Sequence, residues 1–161
     1  MSAMRKALPA AAAAVWLVVG SGAANAGVPG DMIAPESDVA HHGHVLLSGD
    51  RIELAVTSRN HGPSDLPDAT VRLTLSVPPA GVPRLPPGCL RTGEREVLCA
   101  TGPLRADGPG RRLHLELWTV GGPHEVVVRI GTAWNGGASD RNPYNNEHRV
   151  LAPATGDPYV F

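Results

Sequence analysis

Apolar and polar residues alternate with a period of two along most of the chain after residue 38. Ile52, Leu54 and Val56 alternate with Arg51, Glu53, Ala55 and Thr57. Val71, Leu73, Leu75 and Val77 are separated by Arg72, Thr74 and Ser76, and Leu113, Leu115 and Leu117 by His114 and Glu116. Val126, Val128 and Ile130 repeat the pattern, and Trp134 falls in the same inward register. Successive strand side chains point to opposite faces, so each segment reads as a strand with one buried face. Shorter stretches at Val39–Leu47, Arg95–Ala100 and His148–Leu151 bring the expectation to about seven strands. Turns rich in Gly, Pro, Asn and Asp separate them, and no window after residue 27 repeats at helical spacing. An all-β, immunoglobulin-like antiparallel β-sandwich is the expected architecture.

The N-terminus breaks the pattern. Arg5 and Lys6 precede an apolar stretch from Ala10 to Gly20, and Ala24-Asn25-Ala26 follows. A basic start, a short apolar run and a small-x-small site make a cleaved signal peptide over residues 1–26. The run is too short to span a bilayer, so no membrane anchor is expected. Residues 27–37 read as a flexible arm, 38–152 as the sandwich and 153–161 as a tail extending past it. The expected destination is secreted or extracellular.

Export changes how the two cysteines are read. Cys89 and Cys99 flank a hairpin-like stretch centred near Gly93. In an exported chain such a pair is expected to form a hairpin disulfide. Charge excludes one class of partner. Without Arg5 and Lys6, the 14 basic residues fall to 12 against 15 acidic ones, with no basic stripe. Nucleic acid needs a clustered positive face and is not an expected partner. Lys6 is the only lysine, so a Lys–Asn isopeptide staple is also excluded from the mature chain.

Four turn motifs recur in order: Asn60-x-Gly62-Pro63-Ser64-Asp65, then Pro78-Pro79-Ala80-Gly81-Val82, then Cys99-x-x-Gly102-x-Leu104 with Gly108, and finally Asp140-x-Asn142-Pro143-x-Asn145-Asn146. Asn and Asp cap their own turns, and Gly and Pro supply the backbone angles that turns need. In this order the motifs resemble the conserved-repeat domains of bacterial exported proteins, the domain of unknown function eleven. That family is related to the CARDB adhesion-type modules. The resemblance spans about Asp50 to Leu151. It implies an immunoglobulin-like fold and an extracellular, adhesive or spacer-like, non-catalytic role.

Three groups of residues carry candidate chemistry. His41, His42 and His44 could hold copper or zinc, with Asp38 or Met32 completing the set. On a strand, however, His42 and His44 share a face that His41 does not. Asp140, Asn142, Asn145 and Asn146, with Asp38 or Asp65, offer oxygens to calcium but few carboxylates, which favours turn capping. Trp118 follows the inward residues Leu113, Leu115 and Leu117 and should face outward as a candidate binding anchor. His114 and Glu116 are expected to meet Arg129 across a sheet. The chain carries no Gly-x-Ser-x-Gly elbow and no His-Glu-x-x-His helix. The expectation is therefore a non-catalytic interaction or structural module without a cofactor, bound to a protein or a cell-envelope component. A metal-binding role for the histidine cluster is the alternative, and an enzyme comes third.

Overall fold

The computed structural model describes residues 33–161. The signal-peptide expectation, and the arm up to residue 32, lie outside the described residues. Within them the chain forms strands β1 (Glu36–Ser37), β2 (Val39–Ser48), β3 (Arg51–Asn60), β4 (Thr70–Leu75), β5 (Cys89–Arg91) and β6 (Glu96–Ala100). β7 (Arg111–Trp118), β8 (Glu125–Trp134), β9 (Ser139–Asp140), β10 (His148–Pro153) and β11 (Pro158–Val160) follow, with a 3-10 turn at Pro143–Asn146. Among the described residues no helix is long and apolar enough to cross a membrane.

The strands build two antiparallel sheets, ordered β10-β8-β4-β6-β5 and β11-β2-β3-β7. The cores of these sheets, β2-β3-β7 and β10-β8-β4, follow the A-B-E and G-F-C strand order of the immunoglobulin sandwich. From β4 the chain crosses to the edge as β5, then returns as β6 to pair with β4. The inward residues foreseen from the alternation meet between the sheets. Leu47, Ile52, Leu54, Leu73, Leu115, Leu117, Val128 and Ile130 are all fully or almost fully buried. Burying a side chain of this size contributes roughly 1.5–3 kcal/mol, so the aliphatic pattern itself holds the layers together.

Cys89 and Cys99 lie directly opposite each other on β5 and β6 and are disulfide-bonded. The bond ties the edge strand to its neighbour. Closing a loop of this length stabilises by about 2.5–3 kcal/mol in the chain-entropy account.

Four elements depart from the sequence expectation. β1, β5, β9 and β11 are two or three residues long, too short to show a period. The end of the arm is not loose: Ser37 is buried, and Glu36–Ser37 pairs in parallel with Ser139–Asp140. The tail does not leave the sandwich either. β11 pairs with β2, and Phe161 exchanges both backbone hydrogen bonds with Gly43, at 3.1 and 3.0 Å. Position 43 admits only glycine, because a Cβ there would be driven into the Ala55 carbonyl and against the Phe161 ring.

A further departure concerns Trp134. Thr70 pairs with Trp134 but Val71 pairs with Thr132, so one residue of β8 is left over at a bulge. The bulge flips the alternation, and Trp134 faces outward, 48% exposed.

Candidate functional site

The loops at the end of the sandwich where β3 finishes are held by Asn60. Its side chain is 1% exposed and makes four hydrogen bonds. Oδ1 accepts from the backbone N–H of Asp38 (3.1 Å) and Gly62 (3.0 Å). Nδ2 donates to the carbonyls of Ser64 (2.7 Å) and Leu104 (3.3 Å). Gly62 is fixed by close approach: a Cβ there would lie 2.5 Å from the Ser37–Asp38 backbone. Leu66 and Leu104 exchange backbone hydrogen bonds and pack with Val39 and Ala69 in a small second core. Pro63 and Asp65 are exposed, and Asp65 accepts from the Ala106 N–H at 2.8 Å. Asp68 accepts from the Gly102 N–H at 2.8 Å.

The closing motif joins the same network. Asn145 Nδ2 donates to Asp38 Oδ1 at 2.7 Å, across 107 positions of sequence. Asp140 accepts from the Asn142 N–H (2.9 Å) and from Asn146 Nδ2 (2.8 Å). The Asn145 and Asn146 amides thus turn their NH2 groups toward carboxylates. Calcium would require the opposite orientation, oxygens converging on a point. The first and third motifs are therefore bonded directly through Asn60, and the closing motif reaches them through Asp38. The second, at Pro78–Val82, lies at the other end.

The histidine cluster divides across the sheet. His41 is fully buried between the layers, with Nδ1 3.0 Å from Ser58 Oγ and Nε2 3.0 Å from Thr132 Oγ1. Both ring nitrogens are spent on hydroxyls. Burial pushes its pKa down from 6.5 to about 4, with repulsion from His148 and His42 adding to the effect. His42 and His44 face the opposite side, where His42 is exposed and His44 partly so. The three imidazoles do not converge. No group of three or more metal-ligating side chains is assembled among the described residues.

That opposite face carries a polar chain. Arg51 Nη2 lies 2.7 Å from Glu53 and 3.2 Å from Glu116, and His114 Nε2 lies 3.1 Å from Glu53. The hydrogen bonds from His114 and Arg51 hold the Glu53 carboxyl below its usual range. The expected contact of His114 and Glu116 with Arg129 is not made. β7 pairs with β3, while Arg129 belongs to β8 of the other sheet.

Trp118 ends this face, directly across from Arg51 and 52% exposed. The Pro78–Val82 motif is strapped beside it, with the Ala80 N–H donating to the Trp118 carbonyl at 2.6 Å. Together Ala80, Val82, Pro83, Arg84, Glu116 and Trp118 line a depression of about 420 Å3, and Val82 projects from its rim.

Sequence reasoning missed a second aromatic depression, at the Asn60 end. Trp134 lines it, with Asp140, Asn146 and Glu147. Gly131 inside the β8 pattern was the available signal, because glycine within a strand also marks a place where another group approaches closely, here the Glu147 carboxylate.

No family model matches this chain, and no curated protein does. Two solved structures are similar to it, both of beta-glucosidase 3B from Thermotoga neapolitana, in complex with alpha-D-glucose and with glucose. The sequence identity is 16% in each, with TM-scores of 0.43 and 0.44. The match covers 78% of this chain but only 17% of the glucosidase chain.

Proposed function

We propose that this chain is an exported, non-catalytic immunoglobulin-like module that binds a secreted protein or a cell-envelope component. The observation that carries this reading is the Trp118 depression. A large aromatic side chain stands half in solvent beside the exposed Val82, with Arg84 and Glu116 at its edge. Buried aromatic anchors with polar rims supply most of the energy of protein interfaces. The polar residues best suited to catalysis, His41 and Asn60 foremost, are consumed by the fold. Export is supported by the signal-like residues 1–26 and by the disulfide, since such bonds persist in oxidising compartments. The resemblance of the turn motifs to the conserved-repeat domains of bacterial exported proteins, which are related to adhesion-type modules, points the same way.

The test is retention of the mature protein on envelope and secreted-protein fractions from its own source. Trp118→Ala is expected to lower retention about tenfold or more, the usual effect of removing an interface anchor. Its melting temperature should stay nearly unchanged, because the ring already faces water. Retention that ignores the substitution would remove Trp118 as the anchor. A large fall in melting temperature would make it a structural residue instead.

A further inference from the structure

The depression at Trp134 has a chemistry of its own. Its volume is about 290 Å3, and Thr132, Trp134, Asn135, Asp140, Asn146 and Glu147 line it. No arginine or histidine stands on its wall, although every basic residue except Arg5 and Lys6 lies within the described chain. Four other surface depressions each carry at least one arginine. Arg141, the nearest in sequence, is turned to Glu36 at 3.6 Å.

The two carboxylates here are placed differently. Asp140 is oriented by the Asn142 N–H and the Asn146 amide. Glu147 has no hydrogen-bond or ion-pair partner among the described residues. Its carboxylate lies across the backbone of Gly131, so close that a Cβ there would come within 2.5 Å of Oε1 and 2.6 Å of Oε2. The wall of the depression therefore holds a carboxylate without an ion pair among the described residues beside a half-exposed indole, and glycine makes room for it, while Arg72, Arg129 and Arg149 share the sheet face outside the depression.

The geometry points to a recognition site for an arginine side chain presented by a partner peptide. A guanidinium is planar, stacks on an indole face and donates several N–H groups in a fork that carboxylates accept. An ammonium lacks the stacking plane, and a quaternary ammonium lacks the donors. A neutral sugar would stack on the ring but leave the charge unanswered. The site lies at the opposite end of the sandwich from Trp118, so it supplies the module with a second point of contact of defined chemistry. It deepens the proposed interaction role but is tested without reference to Trp118.

The experiment titrates the mature protein with Nα-acetyl-arginine amide while following the Trp134 indole N–H by NMR. Saturable binding in the millimolar range is expected, weakening as salt is raised. Glu147→Gln should weaken it about tenfold, as loss of a charge-assisted hydrogen bond does. Trp134→Ala, followed through the Asn146 side-chain amide because the indole reporter is gone, should abolish it, and Trp118→Ala should leave it unchanged. Nα-acetyl-lysine amide, choline and glucose should each bind at least several-fold more weakly. The inference is overturned if the Trp134 signal does not move, or if Glu147→Gln binds as the parent does. Choline or glucose binding as tightly as the arginine probe would also overturn it. Since Glu147 is exposed, its substitution tests the site even where Trp134→Ala disturbs the fold.

Discussion

Asn60→Ala is expected to destabilise the protein by about 3–5 kcal/mol, because each buried polar group left unsatisfied costs roughly 1–3 kcal/mol. Truncation strips two N–H groups, on Asp38 and Gly62, and the Ser64 carbonyl of their hydrogen-bond partner. The Leu104 carbonyl loses one bond but keeps the Leu66 N–H. Asn60→Asp is the sharper probe, since it is nearly isosteric. It keeps the Oδ1 acceptor but sets an oxygen against two carbonyl oxygens, so it should cost about as much as alanine. Asp65→Ala, exposed and making one such bond, should cost about 1 kcal/mol or less. Chemical denaturation of the three variants checks the ranking. An Asn60→Asp protein as stable as the parent would contradict the network.

The second large effect is a loss of stability in acid that originates at His41. Its folded pKa, about 4, lies below the ordinary value of 6.5 that it regains on unfolding. Between these values the unfolded state takes up a proton that the folded state refuses. The contribution of the neutral, buried imidazole is therefore complete above about pH 6.5 and lost progressively as pH falls toward 4. The full loss is about 3 kcal/mol, since each tenfold change in proton affinity is worth roughly 1.4 kcal/mol. His41→Gln removes the titrating group. The stability gap between parent and variant at neutral pH should narrow steadily on acidification to about pH 4.5, before the carboxylates dominate. Stability curves that run parallel over this window would contradict the burial of His41 as a neutral hydrogen-bonding group.

These two residues also mark how far the sequence could be read. The separation of His41 from His42 and His44 follows from strand alternation alone. Its partners Ser58 and Thr132 come from two other strands, and no local pattern announces them. The turn motifs were legible as turns because Asn, Asp, Gly and Pro have local reasons to be there. That Asn145 reaches Asp38, and Asn60 the Leu104 carbonyl, depends on loops brought together only by the finished sandwich. Aliphatic strands such as Ile52-Leu54-Val56 were legible because burial and period coincide. Trp134 was misplaced because a bulge resets the period after Gly131. The closing strand at Pro158–Val160 escaped notice because three residues carry no period. Its seat exists because Gly43 leaves room for Phe161.

If the polar residues of this chain serve its fold and its contact surfaces rather than a metal centre, it should leave transition metals alone. Calorimetric titration of the mature protein with zinc and with copper reads this out. Heats no larger than dilution and an unchanged melting temperature are expected. A stoichiometric site that disappears in the His42→Ala/His44→Ala double variant would contradict that division of labour and make the histidine cluster the functional centre.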